Sequence, residues 1–197
     1  MLKVYASGAT RSRRVLWALE ELGAPYEVVA LKFPPRIHHP EFLAISAAGA
    51  LPAIEDDGKR VIESLAICDY LNRKHGGDLV VGPDEAGYLD YSQLLHFGES
   101  TLSPPIGWAR RFGPKLPAAL EEAREAFGLR VAVVERALAD GREFLAAGRL
   151  TLADISVGYS LGLAGLSGLG DIIPPAVAAY EARLKARPAY QRAYAVP

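Results

Sequence analysis

Two short apolar runs joined by an Asp-Gly turn, with a helical repeat directly after them, constrain this chain more than any other stretch. Leu51-Pro52-Ala53-Ile54 and Arg60-Val61-Ile62-Glu63 read as strands, and Asp56-Asp57-Gly58 between them supplies the dipeptide that tolerates the positive φ of a tight hairpin. The run Leu65 to Leu71 reads as helix, so Ser64 stands where that helix begins. A serine at a helix start leaves backbone N–H groups and the positive end of the dipole facing outward, which suits a carboxylate. Glu63 beside it suits an ammonium, and the pair together can clamp both charged groups of an α-amino acid. Pro52 has no N–H to donate at its strand start, and it marks a cis turn that exposes neighbouring backbone. The stretch reads as a surface for a small peptide.

Upstream, residues 2–6 form a strand candidate. Val15, Ala18, Leu19 and Leu22 then fall on one helical face that Gly23 and Pro25 terminate, and residues 26–31 form the second strand. Strand, helix and strand in so short a span make a βαβ unit with parallel strands, and ligands of such units sit beyond the carboxyl ends of the strands. Here that is the loop Ser7–Ser12. Residues 32–50 are irregular, with a short helix expected over 41–46 and ending near Gly49.

From Tyr88 onward the periods are helical. Leu120, Ala123, Phe127, Val131, Val134 and Leu138 alternate at three- and four-residue spacing, the stripe of a helix packed in a bundle. Thr151-x-x-Asp154 is a capping-box pattern, with Leu150 and Ile155 placed as a hydrophobic staple. The fold class expected is an α/β domain over 1–77, ordered βαβ then ββα, a linker over 78–87 and an all-helical domain over 88–197.

Composition excludes several functions. With 22 basic and 23 acidic side chains interspersed, the chain offers no field for nucleic acid or an acidic membrane. Four histidines and one cysteine form no metal-ligand pattern, and Cys68 alone permits neither an internal disulfide nor a dithiol redox pair. Met1 leads straight into a strand with no apolar span long enough for a bilayer, so a cytoplasmic location is expected.

The order of these pieces resembles the glutathione transferase superfamily, of the bacterial cytosolic type. The residues that carry the resemblance are Arg14 to Gly23, Leu51-Pro52, Glu63-Ser64, His96 to Ser100, Thr151 to Ile155 and Arg187-Pro188-Ala189-Tyr190, so it covers nearly the whole chain. It implies a thioredoxin-like N-terminal domain and glutathione as co-substrate. Leu51 would pair its backbone with the cysteinyl part, next to cis Pro52, while Glu63 and Ser64 would hold the γ-glutamyl end. It also implies a homodimer, and an electrophile lodged against the first long helix of the second domain.

Glutathione chemistry needs a thiolate, and the family places a hydroxyl or thiol donor in the loop after the first strand. This chain departs from the pattern, because anchoring on Val15-Leu16-Trp17 puts Ala9 at a common donor position. A Ser-Arg-Ser alignment instead selects Thr10, with Ser12 second, and either hydroxyl could equally cap the helix expected to begin near Arg13. Arg11, Arg13 and Arg14 add positive charge, with Arg11 best placed. His39, beside His38, lies where relatives bring a basic group over the glycyl carboxylate. Ser103-Pro104-Pro105 is expected to kink or break its helix, and Glu99, Ser103 and Trp108 are the candidate electrophile contacts. Cys68 lies beside a buried stripe and reads as a small core residue. Glutathione-dependent isomerisation or disulfide reduction, and glutathione binding without turnover, remain alternatives on the same scaffold.

Overall fold

The computed structural model describes residues 1–196, and the chain divides into two compact units: Met1–Val80 with the segment from Arg187 onward, and Val81–Ala186. In chain order the first part runs β1 (Lys3–Ala6), α1 (Ser12–Leu22), β2 (Glu27–Ala30), a one-turn α2 (Pro35–His38), a 3-10 turn (Pro40–Ala44), β3 (Ala53–Asp56), β4 (Lys59–Ile62) and α3 (Ser64–Lys74). The helical unit contains α4 (Tyr88–Phe97), α5 (Ser103–Phe112), α6 (Pro117–Ala137), α7 (Leu152–Gly165) and α8 (Pro175–Lys185), and α9 (Pro188–Ala195) closes the chain.

The strands form one four-stranded sheet in the order β2-β1-β3-β4. β1 and β2 are parallel, with Val4 opposite Val28, so α1 is the crossover of the βαβ unit. The hairpin strands sit two residues later and one residue earlier than expected. The two-residue turn explains this: Asp57 and Gly58 both take positive φ, so Asp56 pairs directly with Lys59. Leu51 and Pro52 precede the ladder, joined by a cis peptide bond, and a second cis bond joins Phe33 to Pro34. Val4 and Ala6 of β1, Val15, Leu16, Trp17, Ala18 and Leu19 of α1, Ile54 of β3, and Ile67 and Leu71 of α3 are buried. Asp56 fastens the hairpin to α3, accepting from Tyr70 Oη at 2.7 Å and Lys74 Nζ at 2.5 Å. The hydrogen bond from Lys74 holds its carboxyl below the usual range.

The segment from 187 packs with the first unit, not with the helices of 88–186 as the sequence suggested. Arg187 donates to both carboxylate oxygens of Glu21 at 2.7 and 2.8 Å, and Arg192 reaches Glu20 at 2.6 Å. Tyr190 meets Trp17 edge-on with ring centroids 4.9 Å apart. Arg13 of α1 donates through Nη1 to the carbonyls of Ala193 and Val196, both at 2.7 Å, so a buried cation meets the carbonyl end of α9.

In the second unit, the anticipated break at Ser103-Pro104-Pro105 is a π-helical turn, Gly98–Leu102, and the helical path continues into α5. The two prolines bring no N–H to the preceding turn, so its ordinary i→i−4 ladder is lost there. Buried hydroxyls gather at the start of this turn: Ser103 Oγ donates to the Gly98 carbonyl at 2.9 Å, and Ser160 Oγ lies 2.9 Å from both that carbonyl and Ser103 Oγ. A side chain on Gly98 would strike Ser156 Oγ at 2.4 Å, which fixes the glycine. α6 buries Ala123, Phe127, Val131 and Val134 as the spacing required, and both arms of the Thr151–Asp154 capping box form at the start of the buried α7.

Candidate functional site

The sheet register brings the candidate segments to one edge. Tyr5 pairs with Ala53 across an antiparallel step, so the loop that leaves β1 after Ala6 emerges beside Pro52 and Leu51. Ala53 also pairs with Ile62, which delivers Glu63 and the start of α3 to the same edge.

α1 begins at Ser12, one residue before expectation, with Arg11 in the N-cap position and no side-chain cap. The hydroxyls of the loop hydrogen-bond among themselves. Thr10 Oγ1 donates to the Ser7 carbonyl at 2.6 Å and lies 2.5 Å from Ser12 Oγ. Longer contacts of 3.4 Å run from the Ser12 N–H to Thr10 Oγ1 and from the Ser7 N–H to Ser12 Oγ. Thr10 is half-buried and Arg11 exposed, whereas Ser12 is completely buried. Ser12 therefore does not present its hydroxyl to a ligand, which corrects its place as an alternative donor.

Glu63 is the N-cap of α3 and Ser64 its first helical residue, so the helix starts one residue before the run expected from Leu65. No side chain caps this N-terminus, so its first N–H groups point outward with the positive end of the dipole. Glu63 adopts φ 70 and ψ 107, a conformation that costs a non-glycine residue roughly 1–3 kcal/mol and recurs at ligand sites. Its side chain is exposed, while Ser64 is buried and accepts a long hydrogen bond of 3.4 Å from Arg14 Nη1.

Arg13 and Arg14, read in the sequence only as local charge, are the structural residues that reading missed. Arg14 is fully buried between the starts of α1 and α3, and Arg13 joins the Gly8 carbonyl at 3.0 Å to the end of α9. The signal was their position, since two cations opening a helix oppose its dipole and need partners elsewhere.

The remaining candidates separate. His39 Nε2 accepts the Lys32 N–H at 3.2 Å and Nδ1 lies 3.3 Å from the Glu41 carboxylate, so both ring nitrogens have partners within their own loop. Ser103 is buried and bonded to Gly98 and Ser160, a packing role that corrects its assignment as an electrophile contact. Glu99 is half-buried in the π-helical turn, and Trp108 is exposed under the guanidinium of Arg130. Burial pushes the Cys68 thiol up to about 12, so it is protonated and inert at neutral pH. Among the described residues no His, Cys, Asp and Glu group could hold a metal, and no helix is long and apolar enough to cross a membrane.

Comparison with known proteins agrees with this geometry. Residues 6–79 match the family described as the glutathione S-transferase N-terminal domain. The chain is 32% identical over 204 residues to the probable glutathione S-transferase GSTF1 of Oryza sativa, covering 95% of this chain and 92% of that protein. Glutathione S-transferase 3 of Schizosaccharomyces pombe is 37% identical over 101 residues, a match to 51% of this chain and 41% of that protein. The chain thus spans less than half the length of that relative. Among solved structures, a glutathione transferase family member from Pseudomonas fluorescens with two glutathione bound is 29% identical at a TM-score of 0.87, covering 100% of this chain and 93% of that one. With a thioredoxin-like first unit, a helical second unit and relatives matched almost end to end, this chain belongs to the glutathione S-transferase superfamily.

Proposed function

We propose that the chain is a cytoplasmic glutathione transferase that binds glutathione at the edge shared by the Ser7–Ser12 loop, Leu51-Pro52 and Glu63-Ser64. The observation that carries this reading is Glu63, held at positive φ in front of an uncapped helix N-terminus. The helix end complements the α-carboxylate of the γ-glutamyl group, and the exposed Glu63 carboxylate complements its ammonium. Thr10 stabilises the thiolate, Arg11 adds positive charge, and the thiolate forms a bond to carbon as the leaving group departs with its electron pair. Glu99 and Trp108 are the residues proposed to meet an apolar electrophile. The bacterial subtype belongs to this proposal through the Thr10-Arg11-Ser12 loop, since the two curated relatives named above are plant and fungal.

Glu63→Ala is expected to weaken glutathione binding by about 1.5–3 kcal/mol, the range for a hydrogen bond to a charged group. Calorimetric titration that returns the unaltered affinity would remove the γ-glutamyl assignment. A homodimer is also expected from the resemblance to glutathione transferases, with the two-fold contact commonest for identical chains. Light scattering with a mass near the monomer's 21.1 kDa at micromolar concentration would exclude it.

One observation favours the rival reading, a glutathione binder without turnover: the Thr10 proton is directed at the Ser7 carbonyl. Measuring the thiol pKa of bound glutathione separates the two, since a binder leaves it near the ordinary ~8.5 of a free thiol.

A further inference from the structure

We propose that Ser12 is a positioning residue for the Thr10 hydroxyl, donating its own proton to Thr10 Oγ1 from a fully buried site behind the loop. The inference rests on the proposed role of Thr10 and deepens it.

Proton accounting fixes the direction of the contact. A carbonyl only accepts, so the 2.6 Å bond from Thr10 Oγ1 to the Ser7 carbonyl uses the single Thr10 proton. The 2.5 Å contact between Thr10 Oγ1 and Ser12 Oγ then has Ser12 as donor. Ser12 Oγ in turn lies 3.4 Å from the Ser7 N–H, which closes a ring through the two hydroxyls and the Ser7 peptide groups.

Two consequences follow for a thiolate at this edge. The anion competes with a neutral carbonyl for the Thr10 proton, and it wins because a hydrogen bond to a charged acceptor is roughly twice as strong. Only that proton turns. Ser12 keeps its proton on Thr10 Oγ1 throughout, which holds the oxygen in place and polarises the O–H that now points at sulfur. Ser12 has 0% exposure, so it acts through Thr10 and not on the ligand. Nor is it a helix cap, since the N-cap position belongs to Arg11 and carries no side-chain cap bond.

The test titrates the thiol of bound glutathione by its thiolate absorbance in the wild type, Ser12→Ala, Thr10→Val and the double variant, with binding measured in parallel. Ser12→Ala is expected to bind glutathione as the wild type does and to lower the acid dissociation constant of the bound thiol by about two- to fourfold, a 10–30% weakening of the Thr10 bond. Thr10→Val should lose about 30-fold or more, with no further loss in the double variant. Ser12→Cys keeps a weaker donor in a similar volume and should fall between wild type and Ser12→Ala; it carries the test should Ser12→Ala fail to fold. A wild-type thiol pKa in either Ser12 variant, or an added loss in the double variant, overturns the inference. If the wild type binds glutathione without lowering its thiol pKa, the reading of Thr10 itself fails and Ser12 falls with it. If Thr10→Val raises the pKa and Ser12→Ala does not, Ser12 alone is refuted.

Discussion

Thr10→Val is expected to cut turnover with a model electrophile by at least about 30-fold while glutathione affinity stays within a few-fold, because one donor to a developing anion is worth roughly 2–4 kcal/mol. Valine keeps the branched shape and removes only the hydroxyl, so the loop loses the bonds of Thr10 to the Ser7 carbonyl and to Ser12 Oγ without a cavity. The γ-glutamyl contacts proposed at Glu63 and Ser64 do not involve Thr10, which is why binding and chemistry should separate. Steady-state kinetics beside calorimetric binding make the measurement. Full activity in Thr10→Val would move the thiolate to a backbone N–H or to Arg11.

The largest stability effect is expected at Asp154. Its carboxylate is completely buried and receives four donors: the Leu145 N–H at 2.9 Å, the Thr151 N–H at 2.8 Å, Thr151 Oγ1 at 3.0 Å and Tyr180 Oη at 2.8 Å. Burial pushes its pKa up, while these donors pull in the opposite direction. Asp154→Ala strands all four donors away from water, and the expected cost is about 3–5 kcal/mol. That corresponds to a loss of about 10 °C in Tm for a chain of this size. Asp154→Asn should be nearly as costly, since its NH₂ would face donors. A thermal melt of Asp154→Ala within about 2 °C of wild type would show that the carboxylate contributes nothing net.

The elements legible in the sequence were those whose cause is local. The three- and four-residue spacing in α6, the Thr151–Asp154 box of α7 and the Asp57-Gly58 turn each specify structure within a few residues, and each is present. Boundaries shifted where pairing decides them, as when the two-residue turn extended β3 to Asp56 and left Leu51 outside the strand. Partners far along the chain were not legible. Nothing near Arg13 announces the carbonyls of Ala193 and Val196, and nothing near Ser103 announces Ser160. At the candidate site, residue types were readable at Thr10, Glu63 and Ser64. The burial that withdraws Ser12 and the loop bonds that occupy His39 depend on packing, which no spacing encodes.

Because α9 belongs with residues 1–80, synthesis delivers the first unit in two instalments, and all of 81–186 is translated between them. Residues 81–186 are thus all available before the last part of the unit that precedes them, against the usual order in which domains mature from the N-terminus. Until residues 187–196 emerge, α1 lacks the ring that meets Trp17 edge-on, the carbonyls that receive Arg13 and the guanidiniums that pair with Glu20 and Glu21. Arg13 also holds the Gly8 carbonyl of the loop that carries Thr10. The loop that carries Thr10 is thus tied, through Arg13, to a segment made only after the whole of 81–186.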